Sequence, residues 1–220
     1  MMLDFHAHIL PGVDHGSGSF ETSVKQLELA RRHGVDNIVA TSHFYPQSRS
    51  CETFLERRDS AYNSLIKEAD ALGIKLLLGA EVLVCNAIDR HPDIDRLCIS
   101  GTKTILLELP FTDFQTDYCR SIFNLVDNGY EVVMAHADRY DPSWIEETLE
   151  AGARLQLNAA SLSLFSRKRY FNWLENGDVV AIGSDIHGAD KKAYKSFVAA
   201  QRFVSKYPAI SDFSNHILFR

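Results

Sequence analysis

The stretch His6-Ala7-His8 holds the first residues of this sequence whose types and spacing point to chemistry. It ends a short apolar run that begins at Met1 and has the character of a β-strand. Alternate side chains of a strand share one face, so the two imidazoles can converge on one metal ion. Such a pair is a weak signal alone. Its weight comes from the later strand-like runs, nearly all of which end in His, Asp or Glu.

Nine candidate metal ligands follow this pattern: His6, His8, His15, His43, Glu81, Glu108, His136, Asp185 and His187. A zinc site takes about four ligands, so the set exceeds the needs of one ion and fits two or three clustered divalent ions. Imidazole and carboxylate donors suit manganese, iron or zinc, and the lack of thiolate argues against a structural zinc site. Such clusters support hydrolysis, because they lower the pKa of bound water from about 15.7 toward about 7 and clamp a phosphoryl group.

Glu108 illustrates why the set is read together. It interrupts the apolar run 105–109, where an unpaired buried carboxylate would be costly. It therefore needs a metal, a cation or an exposed position at the mouth of the fold. A single histidine or carboxylate at a strand end is most often a surface or hydrogen-bonded residue. The joint pattern is what favours a metal site over that ordinary interpretation.

Seven short, mostly apolar runs predict the strands that position these groups: residues 3–6, 37–41, 75–81, 104–109, 131–135, 154–158 and 179–183. Between them, apolar residues at helical spacing predict helices, for example Phe20, Val24 and Leu27, or the stretch 54–72. Five glycines each follow a helical pattern and precede a strand, where a left-handed backbone ends a helix: Gly34, Gly73, Gly129, Gly152 and Gly177. About seven β-α repeats predict an α/β fold with a parallel sheet.

The positions of the polar residues favour closure of that sheet into a barrel. They follow most of the strands, and an α/β barrel places its active site at the carboxyl ends of its strands. An open doubly wound sheet would gather its ligands at one crevice. No linker or low-complexity segment interrupts the 220 residues, so we expect a single domain over 1–220.

Composition excludes several classes of function. The net charge is −6 and there is no basic block, which argues against a dedicated nucleic-acid or anionic-membrane binder. The start has no signal-peptide pattern, and no apolar run approaches the ~20 residues that span a bilayer. The four cysteines are scattered without a C-x-x-C pair: Cys51, Cys85, Cys98 and Cys119. Free thiols in a reducing cytoplasm are the simplest interpretation.

Motifs in the same order along most of the chain resemble the polymerase-and-histidinol-phosphatase (PHP) superfamily. They are the segments 6–13 (HAHILPGV), 40–43 (ATSH), 79–81 (GAE), 107–108 (LE), 135–140 (AHADRY) and 183–187 (GSDIH). Within that superfamily they look most like the bacterial capsular and exopolysaccharide tyrosine-protein phosphatases. The resemblance implies a distorted seven-stranded, TIM-like (β/α) barrel that holds three metal ions, usually manganese.

The resemblance also implies a role for each candidate. A first metal would be held by His6, His8, Glu81 and Asp185. Glu81 would bridge to a second metal, completed by Glu108 and His136. A third would lie on His15, His43 and His187. Arg139 matches the phosphate-binding arginine of the family, although it could instead pair with a neighbouring aspartate. A histidine near the third metal, His43 or His187, could give the leaving group a proton.

Two positions depart from the family pattern. The family usually has Val-Asp-Asp-Gly where this chain has Val13-Asp14-His15-Gly16, so His15 replaces the usual aspartate ligand. Asp14 then either caps a turn or serves as a spare ligand. Lys192 aligns where the family often has an arginine; it keeps the positive charge but lacks the bidentate fork for phosphate. The role of Asn158 stays open between substrate contact and backbone hydrogen bonding.

The function implied by the resemblance is metal-dependent hydrolysis of phosphotyrosine, with the tail of a membrane tyrosine autokinase in polysaccharide synthesis and export as the partner. Two alternatives remain: a small-molecule phosphatase of the histidinol-phosphate type, and a non-catalytic domain stabilised by metal. Cys51 and Arg57 satisfy the C-x5-R spacing of thiol-based tyrosine phosphatases. The stretch has no glycine, contains Glu52 and Glu56, and reads as a helix, so we interpret that match as chance.

Overall fold

The computed structural model describes residues 2–111 and 114–219. Met1 and Arg220, the ends of the predicted domain, lie outside the described residues. The strands are β1 (Leu3–His8), β2 (Asn37–Ala40), β3 (His43–Phe44), β4 (Lys75–Leu78), β5 (Glu81–Leu83), β6 (Thr104–Glu108), β7 (Glu131–Met134), β8 (Arg154–Asn158), β9 (Val179–Gly183) and β10 (Ile186–His187). All of their pairings are parallel.

The helices alternate with the strands, as the sequence predicts. They are α1 (Phe20–Arg32), α2 (Cys51–Ala71), α3 (Ile94–Leu97), α4 (Thr116–Asp127), α5 (Pro142–Glu150), α6 (Phe171–Asn176), α7 (Lys191–Val204) and α8 (Pro208–Leu218). Short 3-10 turns cover Ile88–Arg90, Ala137–Arg139, Ala159–Leu162 and Arg167–Tyr170. The predicted glycines end their helices with positive φ, as at Gly152 with φ +93°. A side chain at that φ would be strained, so glycine is favoured there.

Hydrogen bonding divides the described strands into two sheets, in the orders β10-β1-β2-β4 and β3-β5-β6-β7-β8-β9. The α/β class and the parallel arrangement are confirmed, but one closed seven-stranded barrel is not. Two predicted strands differ from the structure. The predicted strand 37–41 stops at Ala40, and the predicted strand 75–81 is interrupted at residues 79–80. The structure also has two short strands that were not predicted: β3, two residues after β2, and β10, two residues after β9.

Side chains accept backbone amides at two of these places. The amide of Ala7 donates to Thr41 Oγ1 at 3.1 Å, beside the shift in register between β1 and β2. Between β9 and β1, the amide of Ser184 donates to the carboxylate of Asp4 at 2.8 Å. A carboxylate thus takes the acceptor role that a strand carbonyl has in a regular ladder. The sheet edges separate at the same strand ends that carry the candidate ligands.

The far end of the sheets is covered by α8. Lys75 Nζ, at the start of β4, donates to the carbonyl of Leu218 at 2.8 Å, and Phe5 packs on Phe213 with ring centroids 5.3 Å apart. A small apolar cluster joins inward-facing strand residues to this helix, while the main core lies between the strands and the other helices. Because α8 closes the amino ends of the strands, the carboxyl ends are left to form the site. In the described residues, no helix is both long enough and apolar enough to cross a bilayer.

Candidate metal centre

The predicted ligands come together at the carboxyl ends of the strands. They lie on β1 (His6, His8), the loop after β1 (His15), β3 (His43), β5 (Glu81), β6 (Glu108), the turn after β7 (His136) and the segment of β10 (Asp185, His187). His6, His8 and Glu81 are fully buried, whereas His15 is exposed at the rim. Residues far apart in the chain therefore share one polar cup at the end of an otherwise apolar core.

The deepest part of the cup holds four of these groups around one point. His6 Nε2 and His8 Nε2 are 3.1 Å apart, and each lies 3.2 Å from Glu81 Oε2. Asp185 Oδ1 lies 3.7 Å from His6 Nε2 and 3.4 Å from His8 Nε2. Ligand atoms at about 2.1 Å from a common ion are roughly 3.0 to 3.4 Å from one another. His6, His8 and Glu81 have the spacing of ligands to a common ion, and Asp185 lies at the edge of this group.

Glu81 connects this group to a second one. Its Oε1 lies 2.8 Å from His136 Nε2, and Glu108 Oε1 lies 3.5 Å from the same nitrogen. His43 Nδ1 approaches the other oxygens of the two carboxylates, at 2.9 Å from Glu81 Oε2 and 3.6 Å from Glu108 Oε2. Glu81 thus faces both groups with different oxygens, which is the arrangement that a bridging carboxylate requires.

The third predicted group forms a stack of imidazoles at the rim. The ring of His15 lies 4.9 Å from that of His43 and 4.6 Å from that of His187, centroid to centroid. The three rings whose nitrogens lie within 4.8 Å of one another are, however, those of His8, His43 and His187. His15 is adjacent to this trio without having its nitrogen inside it.

Unpartnered polar atoms test whether the cup fits metal ions. Buried atoms without a hydrogen bond of acceptable geometry include Glu81 Oε2, Glu108 Oε2 and His43 Nδ1, although Glu81 Oε2 and His43 Nδ1 are only 2.9 Å apart. His136 Nδ1 and His187 Nε2 are also buried and unpartnered. Unsatisfied buried groups are costly, and converging lone pairs of this kind are satisfied by cations. The donor set therefore fits clustered divalent ions with mixed nitrogen and oxygen ligands.

The pKa values show the same excess of negative charge. Burial opposes the charged form of His43, but contacts with Glu108 and Glu81 outweigh it and raise its pKa to about 9. The same balance raises the pKa of His136 to about 9. Burial and the neighbouring His8 lower the pKa of His187 to about 4. The carboxylates thus hold protons on the imidazoles nearest to them, where a metal ion would replace the protons.

Asp14 supports the cup from beneath its rim. Its Oδ2 accepts from His8 Nδ1 at 2.9 Å and from the amide of His43 at 3.0 Å, and its Oδ1 accepts from the amide of Gly16 at 2.8 Å. These bonds fix His8 with Nε2 as the free nitrogen, as carboxylates do behind metal-binding histidines. They favour the capping interpretation of Asp14 and leave His15 as the candidate ligand.

Gln156 plays a similar part from β8, and the sequence analysis did not identify it. Its Oε1 accepts from His6 Nδ1 at 2.9 Å and from the amide of His136 at 2.7 Å, while its Nε2 donates to Asn158 Oδ1 at 3.0 Å. Asn158 Nδ2 then donates to Asp185 Oδ2 at 2.9 Å. Asn158 is therefore a positioning residue for Asp185. The available signal in the sequence was the alternation of the polar residues Gln156 and Asn158 with Leu155 and Leu157.

Backbone strain is concentrated in two candidate ligands. His136 has φ +33° and Asp185 has φ +50°, in the left-handed region that non-glycine residues seldom adopt. Such conformations persist where the surroundings over-determine them and are common at functional sites. In each case the strained residue is the second one after the end of a strand, β7 for His136 and β9 for Asp185.

The two predicted phosphate-binding residues differ in their positions. Arg139 donates to Asp185 Oδ2, and its side chain is 43% exposed at the mouth of the cup. Lys192 lies in the first turn of α7, which Asp190 caps by accepting from the Lys192 amide at 2.8 Å. Its side chain is exposed, and within 2–111 and 114–219 it has no ion pair with a candidate ligand. Its role in binding phosphate stays a prediction.

The cysteine of the C-x5-R match lies in a helix. Cys51 is the first residue of α2, and burial together with nearby Asp93 raises the pKa of its thiol to about 11. A thiol of that pKa carries little thiolate at neutral pH. The helical context and the pKa agree with the interpretation of the match as chance.

Comparisons with known proteins agree with the motifs. The chain is 28% identical over 238 residues to the tyrosine-protein phosphatase YwqE of Bacillus subtilis, covering 100% of this chain and 92% of that protein. It is 27% identical over 229 residues to the tyrosine-protein phosphatase CpsB of Streptococcus pneumoniae, covering 94% and 92%.

A solved structure from work on YwqE and CpsB, described there as metal-dependent tyrosine phosphatases, has the same fold. It superimposes with a TM-score of 0.79 at 24% identity, over 98% of this chain and 94% of that one. The model of the family described as capsular polysaccharide synthesis, CpsB/CapC, matches residues 2–219. The chain therefore belongs to the CpsB/CapC family of capsular polysaccharide synthesis.

Proposed function

We propose that this protein is a metal-dependent phosphatase that hydrolyses phosphotyrosine in proteins. The observation that carries the proposal is the bridged arrangement of Glu81. One of its oxygens lies 3.2 Å from both His6 and His8, and the other lies 2.8 Å from His136. A carboxylate shared between two sets of nitrogen ligands suits adjacent ions, which can hold both the attacking and the leaving oxygens of a phosphoryl transfer.

The proposed centre binds three divalent ions, with manganese the first candidate and zinc or iron the alternatives. Each ligand set is the one that the family resemblance implies. The first ion takes His6, His8, Glu81 and Asp185. The second takes Glu81, Glu108 and His136. The third takes His15, His43 and His187, and the proximity of His8 to the last two makes it a neighbour of both the first and the third sets. We infer a single domain over 1–220.

When bound, the ions supply an activated water and neutralise charge on the phosphoryl group. The protein's own groups then orient the ester. Arg139, exposed at the mouth beside Asp185, binds nonbridging phosphoryl oxygens with its planar guanidinium. The leaving phenolate of tyrosine has a pKa of about 10, so it needs less protonation than an alkoxide does. His43 and His187 are the candidates for holding the proton that it takes up.

The proposed substrate is a tyrosine-phosphorylated protein, namely a membrane tyrosine autokinase in capsule or exopolysaccharide synthesis, met from the cytoplasm. Three considerations support it: membership of the CpsB/CapC family, similarity to the tyrosine-protein phosphatases YwqE and CpsB, and four cysteines that are all free thiols. Free thiols are typical of a reducing compartment.

The test is to strip the purified protein with a chelator, reload it with manganese, zinc or iron, and compare hydrolysis of a phosphotyrosine peptide with that of histidinol phosphate. Elemental analysis gives the metal content at each step. We expect the peptide to be the better substrate and activity to require reloading. Preference for histidinol phosphate would favour a small-molecule phosphatase. If metal removal lowered the stability of the protein but no metal form hydrolysed either substrate, a non-catalytic domain stabilised by metal would be favoured.

A further inference from the structure

A pocket of about 150 Å³ opens beside the candidate metal centre, next to His15 and His43. It lies between the loop that follows β1 and the segment 45–50 that joins β3 to α2. Neither the ligand sets above nor Arg139 accounts for it. Its position next to two candidate ligands means that a group bound at the centre can extend into it.

One wall of the pocket is aromatic. The ring of Tyr45 lies 5.2 Å from the ring of His43 with an angle of 26°, and His43 in turn stacks on His15 at 4.9 Å and 11°. Tyr45 is half-buried and lines the pocket. The three rings are stacked on one another, with His43 in contact with both His15 and Tyr45. Aromatic groups pack favourably on such rings in offset-stacked or tilted geometry.

Arg49 supplies the charge of the pocket. It is half-buried and lines the pocket, and within the described part of the chain its guanidinium has one hydrogen bond, to the carbonyl of Val13, which is long at 3.4 Å. Over 2–111 and 114–219, no carboxylate forms an ion pair with it. The carboxylate nearest in the pocket, Asp14, already accepts from His8 and two backbone amides. By contrast, the buried Arg58 has Asp59 at 2.9 Å and two backbone carbonyls as partners.

A half-buried guanidinium without a counter-ion favours an anion from outside the chain, because its fork of donors matches a carboxylate or a phosphate. Arg139 already offers a guanidinium for the phosphoryl group on the Asp185 side of the cup. Arg49 instead lines the pocket together with His15 and Tyr45. That position suits an anionic group carried by the residues around the phosphorylated side chain.

We propose that the pocket is a substrate subsite in which Tyr45 packs on the phenyl ring of phosphotyrosine and Arg49 binds the carboxylate of an adjacent acidic residue. The subsite rests on the proposed phosphatase function and gives the enzyme a preference for phosphotyrosine in acidic segments. Contact with Tyr45 increases the affinity for any aryl phosphate. Contact with Arg49 increases the affinity only for substrates with a neighbouring carboxylate.

The test compares three substrates of the manganese-loaded protein: a phosphotyrosine peptide flanked by Glu, the same peptide flanked by Gln, and para-nitrophenyl phosphate. We expect Arg49→Ala to raise KM about tenfold for the Glu peptide alone, with kcat unchanged, as loss of one charged hydrogen-bonded contact implies. We expect Tyr45→Ala to raise KM about fivefold for all three substrates, while Tyr45→Phe keeps the parent values.

Arg57→Ala is the matched control, because Arg57 also anchors the loop after β1, by donating to the carbonyl of Gly12 at 2.6 Å, but does not line the pocket. It should behave like the parent, and all variants should keep the parent's metal content. If Arg49→Ala affected the three substrates equally, or if Arg57→Ala reproduced its effect, the carboxylate subsite would be wrong. If Tyr45→Phe raised KM as much as Tyr45→Ala does, the proposed contact between the Tyr45 ring and the substrate would be wrong.

Calorimetric titration of the Glu peptide separates this proposal from the function on which it rests. Binding that weakens about tenfold in Arg49→Ala, in a protein that hydrolyses none of the three substrates, would remove the phosphatase function and leave the subsite. Hydrolysis of the Glu peptide that does not depend on Arg49 would leave the phosphatase function and remove the subsite. A parent protein that neither binds nor hydrolyses the Glu peptide would contradict both.

Discussion

Single residues of the metal centre are coupled because each carboxylate serves more than one imidazole. His43 Nδ1 lies within 3.6 Å of both Glu81 and Glu108, and Asp185 Oδ1 lies within 3.7 Å of both His6 and His8. Removing either group takes a shared partner from several buried ligands at once. We therefore expect His43→Ala and Asp185→Ala each to lower kcat/KM for a phosphotyrosine peptide by at least ~100-fold, since nucleophile and charge clamp are lost together.

Cys51→Ser is the control for that experiment, because the thiol has a raised pKa at the start of a helix and lies outside the cup. Its activity should stay near that of the parent. Steady-state kinetics with metal analysis of each protein checks the three variants together. A large loss in Cys51→Ser with normal activity in the two ligand variants would replace the metal mechanism by thiol chemistry.

Gln156 acts through the ligands that it holds. Its Oε1 accepts from His6 Nδ1 and from the amide of His136, so Gln156→Leu should free the His6 ring and leave that amide unpaired. Loss of such partners of metal ligands costs about 10- to 100-fold in metal affinity. Competition with a chromophoric chelator measures that affinity. Gln156→Glu keeps an acceptor at the same place and should lose less; equal losses in both variants would indicate a general packing defect instead.

At the scale of the elements, the sequence predicted the strands well and their ends poorly. The runs 154–158 and 179–183 match β8 and β9, because their apolar pattern is set by burial on both faces. The predicted strand 37–41 ends early at Ala40, next to Thr41, whose side chain accepts from the amide of Ala7, and the predicted strand 75–81 is divided at residues 79–80. Tertiary contacts of this kind leave no periodic signal. Gln156 escaped notice for the same reason, whereas His and Glu at strand tips stood out by type.

Gly183 shows how closely two of these elements approach. A Cβ at this position would lie 2.4 Å from His6 Cβ and 2.9 Å from Gln156 Nε2, so β9 can lie beside β1 only with glycine there. We expect Gly183→Ala to destabilise the protein by about 1–3 kcal/mol, the usual cost of overpacking. Because the strain falls on His6, metal affinity should fall with stability.

Denaturant unfolding and metal titration of Gly183→Ala check both effects. Gly18→Ala is the matched control, since a Cβ at Gly18 would meet no atom within 4 Å and its φ is not in the left-handed region. It should leave both quantities near the parent values. Normal metal affinity in a destabilised Gly183→Ala would show that His6 does not depend on the packing of β9 against β1.

At the scale of the whole molecule, the two ends of the sheets differ: one is closed by an apolar helix and the other holds the polar cup. Helix α8 fills the amino ends with apolar side chains, through contacts such as Phe5 with Phe213, and the carboxyl ends gather the buried histidines with Glu81 and Glu108. Folding therefore concentrates like-charged carboxylates in one place. The free energy of unfolding must then depend on what neutralises them, which is either protons on the histidines or metal ions.

This dependence predicts how metal removal changes with pH. In the metal-free protein the pKa values of His43 and His136 are raised to about 9, so their contribution to stability is complete below their unfolded pKa of about 6.5 and is lost as pH rises toward 9. Burial raises the pKa of Asp185, but the neighbouring His6 and His8 outweigh burial and lower it. The contribution of Asp185 to stability is therefore lost only in acid, below about pH 4. In the metal-loaded protein the imidazoles are neutral ligands and have no proton to lose.

The difference in Tm between the metal-loaded and metal-free forms should therefore widen from pH 6.5 to pH 9. At free metal about 100-fold above Kd the stabilisation is about 2.7 kcal/mol, or roughly 5 to 10 °C for a chain of this size. Thermal unfolding followed by circular dichroism, with a chelator or with excess manganese at each pH, measures the difference. Groups outside the cup titrate in both forms and cancel. A difference that stays constant or narrows with rising pH would mean that protons on His43 and His136 do not stand in for the metal.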